Sequence, residues 1–262
     1  MSDRTLQELP GWSLAWSDEF DGDAGSPPDP ASWQPEVGGH GWGNQELQYY
    51  TDNRDNARLD GAGNLQIVVR RSDPQLRDHR FGGCRYTSAR LTTKDRVAFT
   101  YGLVQARIRL PQGRGIWPAF WMLGQNIDRV GWPQCGEIDV MENFGKDPTV
   151  VHGTVHGPGY AGTEGSTTAY RAAAGLADDF HLYAVHWEPD RIRWYLDDQL
   201  YSTLTPEDLQ GHPWVFDHDF FLLLNVAVGG TFSVTPDPSA TFPQTMLVDY
   251  IRIYASASGD RF

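Results

Sequence analysis

Glu137-Ile138-Asp139-Val140-Met141-Glu142 sets three carboxylates among apolar, largely β-branched side chains. Ile138 and Val140 favour a pleated, half-buried surface. The two-residue period of a strand sends Glu137 and Asp139 to one face, with Ile138 and Val140 on the other. Glu142 falls out of that phase. One extra residue, most simply Met141 in a β-bulge, returns it to the face of Glu137 and Asp139, and bulges re-aim side chains in this way beside active sites. A helix offers no such face, because at about 100° per residue Asp139 would stand about 200° from Glu137.

Three carboxylates on one face repel one another, so such a cluster holds at least one proton at neutral pH. A protonated acid beside an ionised partner is what retaining cleavage of a glycosidic bond requires: one carboxylate attacks the anomeric carbon, and the other protonates the departing oxygen and later activates water. The same residues would suit a cation, which also takes several oxygens, or a solvated sheet face. The aromatic residues on either side favour catalysis.

Outward from this run the chain consists of short alternating segments separated by Gly, Pro, Asp and Asn clusters, with no amphipathic helix longer than two turns. The pattern is all-β. Strands are expected at Trp12–Phe20, Asn64–Arg71, Ser88–Thr92, Gly102–Leu110, Trp117–Leu123 and Glu137–Glu142. Further strands are expected at Val150–His156, His181–Glu188, Ile192–Leu196, Phe220–Val228 and Met246–Tyr254. Turns fall at Pro189-Asp190-Arg191 and Asp197-Asp198. So many strands imply two packed antiparallel sheets. No repeat or low-complexity linker divides the 262 residues, so a single domain 1–262 is expected, with tails at 1–11 and 255–262.

The formal net charge is −13, from 34 acidic residues against 21 Lys plus Arg. Nucleic acid and sulfated polysaccharides are disfavoured as partners by long-range repulsion, whereas a neutral glycan is unaffected. No apolar run is long enough to span a bilayer. Ten Trp, eleven Tyr and twelve Phe exceed the needs of a core this size, and rings at a cleft are platforms for sugar faces. The two cysteines, Cys84 and Cys135, leave one bridge or two free thiols open. MSDRTLQELPGW lacks the apolar region of a signal peptide. A polymeric substrate nonetheless points to an extracellular location, and a monomer is expected.

GEIDVMEN, with WPAFWML before it and GTVHGP after it, resembles family 16 of the glycoside hydrolases, in particular its laminarinase-like endo-β-1,3-glucanases. WSDEFDG, GWGNQELQYYT, YTSARLTT, YGLVQARIRLP, LLLNVAVGG and VDYIRIY extend the likeness over nearly the whole chain. The longer Glu-x-Asp-x-x-Glu spacing resembles the laminarinase branch rather than the lichenases. The resemblance implies a jelly roll whose concave sheet holds a β-glucan. It makes Glu137 the nucleophile, Glu142 the acid/base and Asp139 their helper. A non-catalytic glucan-binding protein of the same fold and a mixed-linkage β-1,3-1,4-glucanase are the competing readings.

By the same resemblance Trp117, Trp121 and Trp132 stack on glucosyl rings, Asn44 and Arg90 hydrogen-bond sugars on the nonreducing side, and His156 contacts substrate. Glu46 and Asn225 are weaker candidates. His152 and His156 share a strand face, but no third ligand accompanies them as a metal pair. Thr231-Phe232 stands where many relatives carry a Trp, which puts distant-subsite affinity in doubt. A structural Ca2+ is implied on the convex side, held by the backbone carbonyls of Glu19 and Gly63 and the side chain of Asp249.

Overall fold

The computed structural model describes residues 10–256. Their strands are β1 (Trp12–Asp18), β2 (Gln34–Glu36), β3 (Gln48–Tyr50), β4 (Ala57–Leu59), β5 (Leu65–Arg71), β6 (Tyr86–Ser88), β7 (Arg90–Thr92), β8 (Ala98–Phe99) and β9 (Gly102–Arg109). The second half adds β10 (Ile116–Gly124), β11 (Glu137–Glu142), β12 (Val150–His156), β13 (Ser166–Arg171), β14 (His181–Glu188), β15 (Arg191–Leu196), β16 (Gln199–Leu204), β17 (Phe220–Val228) and β18 (Gln244–Ser256). The helical segments are single turns, and among the described residues no helix is long and apolar enough to cross a membrane.

Two sheets form the expected jelly-roll sandwich. One has ten strands, ordered β16-β15-β14-β9-β18-β5-β6-β3, with β1 on β18 and β4 on β5. The other has eight, ordered β13-β12-β11-β10-β17-β7-β2, with β8 on β17. Pairing is antiparallel except between β3 and β6. The expected strand Ser88–Thr92 is in fact two, because the chain leaves the larger sheet at Ser88 and enters the smaller at Arg90. The expected tail also begins too early: Ala255 and Ser256 pair with Ser13 and Trp12, which carries β18 two residues further. Residues 1–9 and 257–262 of the expected tails lie outside the described residues.

The eight-stranded sheet turns alternate residues to the core. On β10, Ile116, Phe120 and Met122 join it, while Trp117, Ala119, Trp121 and Leu123 take the opposite face. On β17, Leu222, Leu224, Val226 and Val228 point inward, and Asn225 and Ala227 line a cleft on the other side.

β11 breaks this alternation where the sequence indicates, with a correction. Opposite β10, Met141 pairs with Phe120 and Asp139 with Trp121, so the unmatched residue is Val140 and not Met141. Opposite β12, Asp139 pairs with Thr154 and Glu142 with His152, leaving Val140 and Met141 together across from Gly153. Both apolar side chains are buried in the core, and that burial is the physical reason for the bulge. Gly153 makes room: a Cβ there would stand 2.5 Å from Trp194 Cδ1. The Trp194 indole N–H donates to the Asp139 carbonyl at 2.9 Å, satisfying a backbone group at the disrupted ladder.

Candidate active site

Antiparallel registry converts these strands into rows of side chains across one face of the eight-stranded sheet. Leu123, Glu137 and His156 form one row; Trp121, Asp139 and Thr154 the next; Asn225, Ala119, Glu142 and His152 the third, which Arg90 extends on β7. The three carboxylates therefore stack along β11 in the middle of a cleft of about 410 Å³. The small Ala119 between Trp117 and Trp121 leaves open space beside Glu142.

Two indoles hold the glutamates. Trp132 Nε1 donates to Glu137 Oε2 at 2.6 Å, and Trp117 Nε1 donates to Glu142 Oε1 at 2.9 Å. Asp139, 3% exposed, lies between them and shares a hydrogen bond with Glu137. His156 Nε2 is 3.3 Å from Asp139 Oδ2 and 4.0 Å from Glu137 Oε1.

Burial dominates the electrostatics. It pushes Glu137 up to about 8, with Asp139 adding to the rise and His156 and the Trp132 indole opposing it. It pushes Glu142 up to about 7 against the Trp117 hydrogen bond, and Asp139 well above the ordinary carboxylate range with help from Glu142. A value of about 8 for Glu137 alone would leave it protonated at pH 7, the wrong state for a nucleophile. The proton shared with Asp139 resolves this. The two carboxyls form a coupled pair that holds one proton between them and keeps one negative charge, which the Trp132 N–H supports on the Glu137 side. When Glu142 is protonated, one negative charge is left on the cluster, shared by the Glu137–Asp139 pair.

Glu137, Asp139 and His156 also bring ligand atoms within 4.8 Å of one another, a donor set that could hold a cation. The Trp132 indole N–H on Glu137 and the proton shared between Glu137 and Asp139 favour acid/base use. His152 takes no part in that group. Four residues apart on an extended strand, His152 and His156 stand roughly 13 Å apart, too far to share an ion.

The other expected residues reach the cleft in different roles. Trp132 is 47% exposed and offers an open ring face. Trp117 is buried, packed on Phe144 and edge-on to Phe232 with centroids 5.5 and 5.6 Å away. Trp121 donates to Asn225 Oδ1 at 2.7 Å and carries the Arg90 guanidinium 4.7 Å over its ring. Arg90 is ion-paired with Glu36, and its other neighbour is Trp42, also at 4.7 Å. Asn44 lines the cleft and donates to Glu46 at 3.3 Å.

Sequence reasoning missed Trp42, Phe144 and Thr154, all of which line the cleft. Trp42 had a signal: it sits between Gly41 and Gly43 in a loop where all three residues have positive φ, a conformation that glycines permit. Thr154, inside GTVH, hydrogen-bonds Glu142. Phe232 places an aromatic ring in the cleft. Cys84 and Cys135 are both free, and Cys135 packs with Leu123, Phe221 and Leu223 behind Trp121.

The chain is 46% identical over 264 residues to a beta-glucanase of Rhodothermus marinus, covering 97% of this chain and 88% of that one. Its fold superposes on the laminarinase catalytic domain of Thermotoga maritima with a TM-score of 0.84 at 47% identity, covering 93% and 98% of the two chains. The endo-beta-1,3-glucanase of Pyrococcus furiosus gives a TM-score of 0.86 at 44% identity over 93% and 94%. Residues 42–250, which include the three carboxylates and both indoles that hold them, match the family model of the glycosyl hydrolases family 16, and the chain belongs to that family.

Proposed function

We propose that the protein is an endo-acting, retaining glucanase that hydrolyses β-1,3-glucosidic bonds in laminarin-type β-glucans. The observation that carries this reading is the bulged strand β11, which lays Glu137, Asp139 and Glu142 along one cleft with an indole donor on each glutamate. Ionised Glu137 attacks the anomeric carbon while protonated Glu142 gives its proton to the glycosidic oxygen, so the C–O bond breaks and a glycosyl ester forms on Glu137. Glu142, now a carboxylate, takes a proton from water, and that water's oxygen displaces Glu137. Asp139 keeps the nucleophile ionised by holding the proton between them. The open face of Trp132 is the platform for a sugar beside Glu137, with His156, Asn44 and Arg90 as polar contacts. The names of the relatives support the substrate class.

Reducing-sugar release from laminarin tests the reading. Steady shortening of the polymer is expected. Retention of laminarin without shortening would make this a glucan-binding protein of the same fold. Faster cleavage of lichenan than of laminarin would make it a mixed-linkage enzyme. We read the protein as an extracellular monomer with no nucleic-acid or membrane partner, because its substrate is polymeric and its charge is −13; light scattering at the mass of one chain checks the first point.

We propose a structural Ca2+ on the ten-stranded sheet. Glu19 follows Asp18, the partner of Ile251, and Gly63 lies two residues before Leu65, the partner of Val248, so both backbones reach β18 beside Asp249. The Glu19 carboxylate is engaged by Arg252 at 2.8 and 2.9 Å, which leaves its carbonyl for a cation. Asp249, whose Oδ2 accepts from Arg107 at 2.6 Å, would supply the side-chain oxygen. Two carbonyls and one carboxylate oxygen suit a hard cation that keeps some water. Adding calcium to metal-stripped protein should raise its Tm, and Asp249→Ala should abolish that rise; no rise in the wild type removes the site.

A further inference from the structure

In the wall of the cleft, at its β17–β7 end, lies a largely buried carboxyl that the reaction does not use. Glu46 is 9% exposed and sits where the segment 44–47 is pinned to the end of β17: it bridges to Gly229, and Leu47 N donates to the Val228 carbonyl at 2.8 Å. Three side chains donate to it. Gln48 Nε2 at 2.6 Å and the Tyr50 hydroxyl at 3.1 Å reach Oε2, and Asn44 Nδ2 at 3.3 Å reaches Oε1. Tyr50, fully buried, accepts from Asn225 Nδ2 at 3.1 Å, and Asn225 Oδ1 accepts from Trp121 Nε1 at 2.7 Å.

The direction of this chain follows from its members. An indole N–H can only donate, so Asn225 must turn its oxygen to Trp121 and its NH2 to Tyr50. Tyr50 must then send its one proton onward. A carboxylate, an acceptor with room for several donors, is the side chain that ends such a series without needing a partner of its own. Its position matters for the cleft, because Trp121 carries Arg90 on its ring and Arg90 in turn meets Trp42. Asn225 and Arg90 stand two and three strands from β11, roughly 10 and 14 Å at a spacing of about 4.8 Å. Groups that far out meet parts of a polymer beyond the ring being cleaved.

We propose that Glu46 is a positioning residue for substrate: acting through Tyr50 and Asn225, it fixes Trp121 and the Arg90–Trp42 stack, and so sets affinity for the glucan segment at the β17–β7 end of the cleft. This rests on the glucanase reading above. The energetic reason is preorganisation, since rings already held need not be ordered when the sugar arrives.

Tyr50→Phe tests it with least damage. The change removes the one hydroxyl between Glu46 and Asn225 and keeps the ring that packs on Trp42. KM for laminarin should rise about tenfold, the worth of one hydrogen bond to a charged group, with kcat within about twofold and Tm within a few degrees. Glu46→Leu should raise KM at least as far, and Glu46→Gln, which keeps an acceptor oxygen for Gln48 and Tyr50, should recover most of the loss. Laminarin binding measured calorimetrically on a Glu142→Gln background, with and without Tyr50→Phe, reads the same effect as a rise in Kd even if the wild type proves not to cleave. An unchanged KM and Kd in Tyr50→Phe, or a loss confined to kcat, overturns the proposal.

Discussion

Trp132 donates to Glu137 and Trp117 to Glu142, so each indole favours the ionised form of its partner against the rise that burial imposes. Replacing either ring by Phe removes the N–H and keeps an aromatic surface. The consequences differ because the two acids work in opposite states. In Trp132→Phe the first ionisation of the Glu137–Asp139 pair, which puts a negative charge on the nucleophile, moves up, so the acid limb of the kcat/KM profile should rise by about one pH unit. In Trp117→Phe the Glu142 pKa rises, and the alkaline limb, which reports the protonated acid, should move up by a similar amount. Full pH profiles of both variants check this; the reverse assignment of limbs would exchange the roles of the two glutamates. The carboxylates and all three tryptophans were legible in the sequence, but the indole hydrogen bond of Trp117 was not. It spans 25 residues and depends on how β10 and β11 pair around the bulge.

The bulged strand is the element on which the site depends, and Gly153 is its partner's accommodation. A methyl group there would meet Trp194 Cδ1 at 2.5 Å and Nε1 at 2.8 Å, displacing the ring that holds the Asp139 carbonyl. Gly153→Ala should therefore cost about 1–3 kcal/mol, several degrees of Tm for a chain this size, and should lower kcat because Asp139 moves with its carbonyl. Differential scanning calorimetry with parallel rate measurements checks both effects; a variant with wild-type Tm and kcat would show that the bulge does not rely on Trp194. Strands of this kind read well from sequence. Glu137–Glu142, Val150–His156, His181–Glu188 and Phe220–Val228 fall where expected, because alternating or continuous apolar residues meet Gly, Pro, Asp or Asn at or within two residues of both ends. β13 was missed, since Ser166-Thr167-Thr168-Ala169 carries too little apolar contrast to reveal alternation. The change of sheet at Ala89 leaves no local mark at all. The extra residue of the bulge was read as Met141 rather than Val140 because both are apolar, and only the pairing with Phe120 distinguishes them.

At the scale of the whole molecule, the site is built at a cost to stability that depends on pH. Burial raises the Glu137–Asp139 pair and Glu142, Glu137 to about 8 and Glu142 to about 7, against about 4.5 for a glutamate in an unfolded chain, so the pair gives up its shared proton only at the upper end of that range. The folded protein therefore binds protons that the unfolded chain has released. The stability they contribute is fully present below about pH 4.5 and is lost as pH rises through 7 and 8. Glu188, held down to about 2 chiefly by its hydrogen bonds with Arg191, acts on the acid side of that window. Glu137→Gln should thus match the wild-type Tm near pH 4.5 and exceed it by several degrees at pH 8 to 9; an offset that does not vary with pH would mean that the Glu137–Asp139 pair is not raised. The same two carboxylates set the stereochemistry of the reaction, because displacement by Glu137 followed by displacement by water inverts the anomeric carbon twice. Proton NMR of the first products released from laminarin, recorded before mutarotation, tests this most directly: the β anomer should appear first, and initial release of the α anomer would contradict the double displacement.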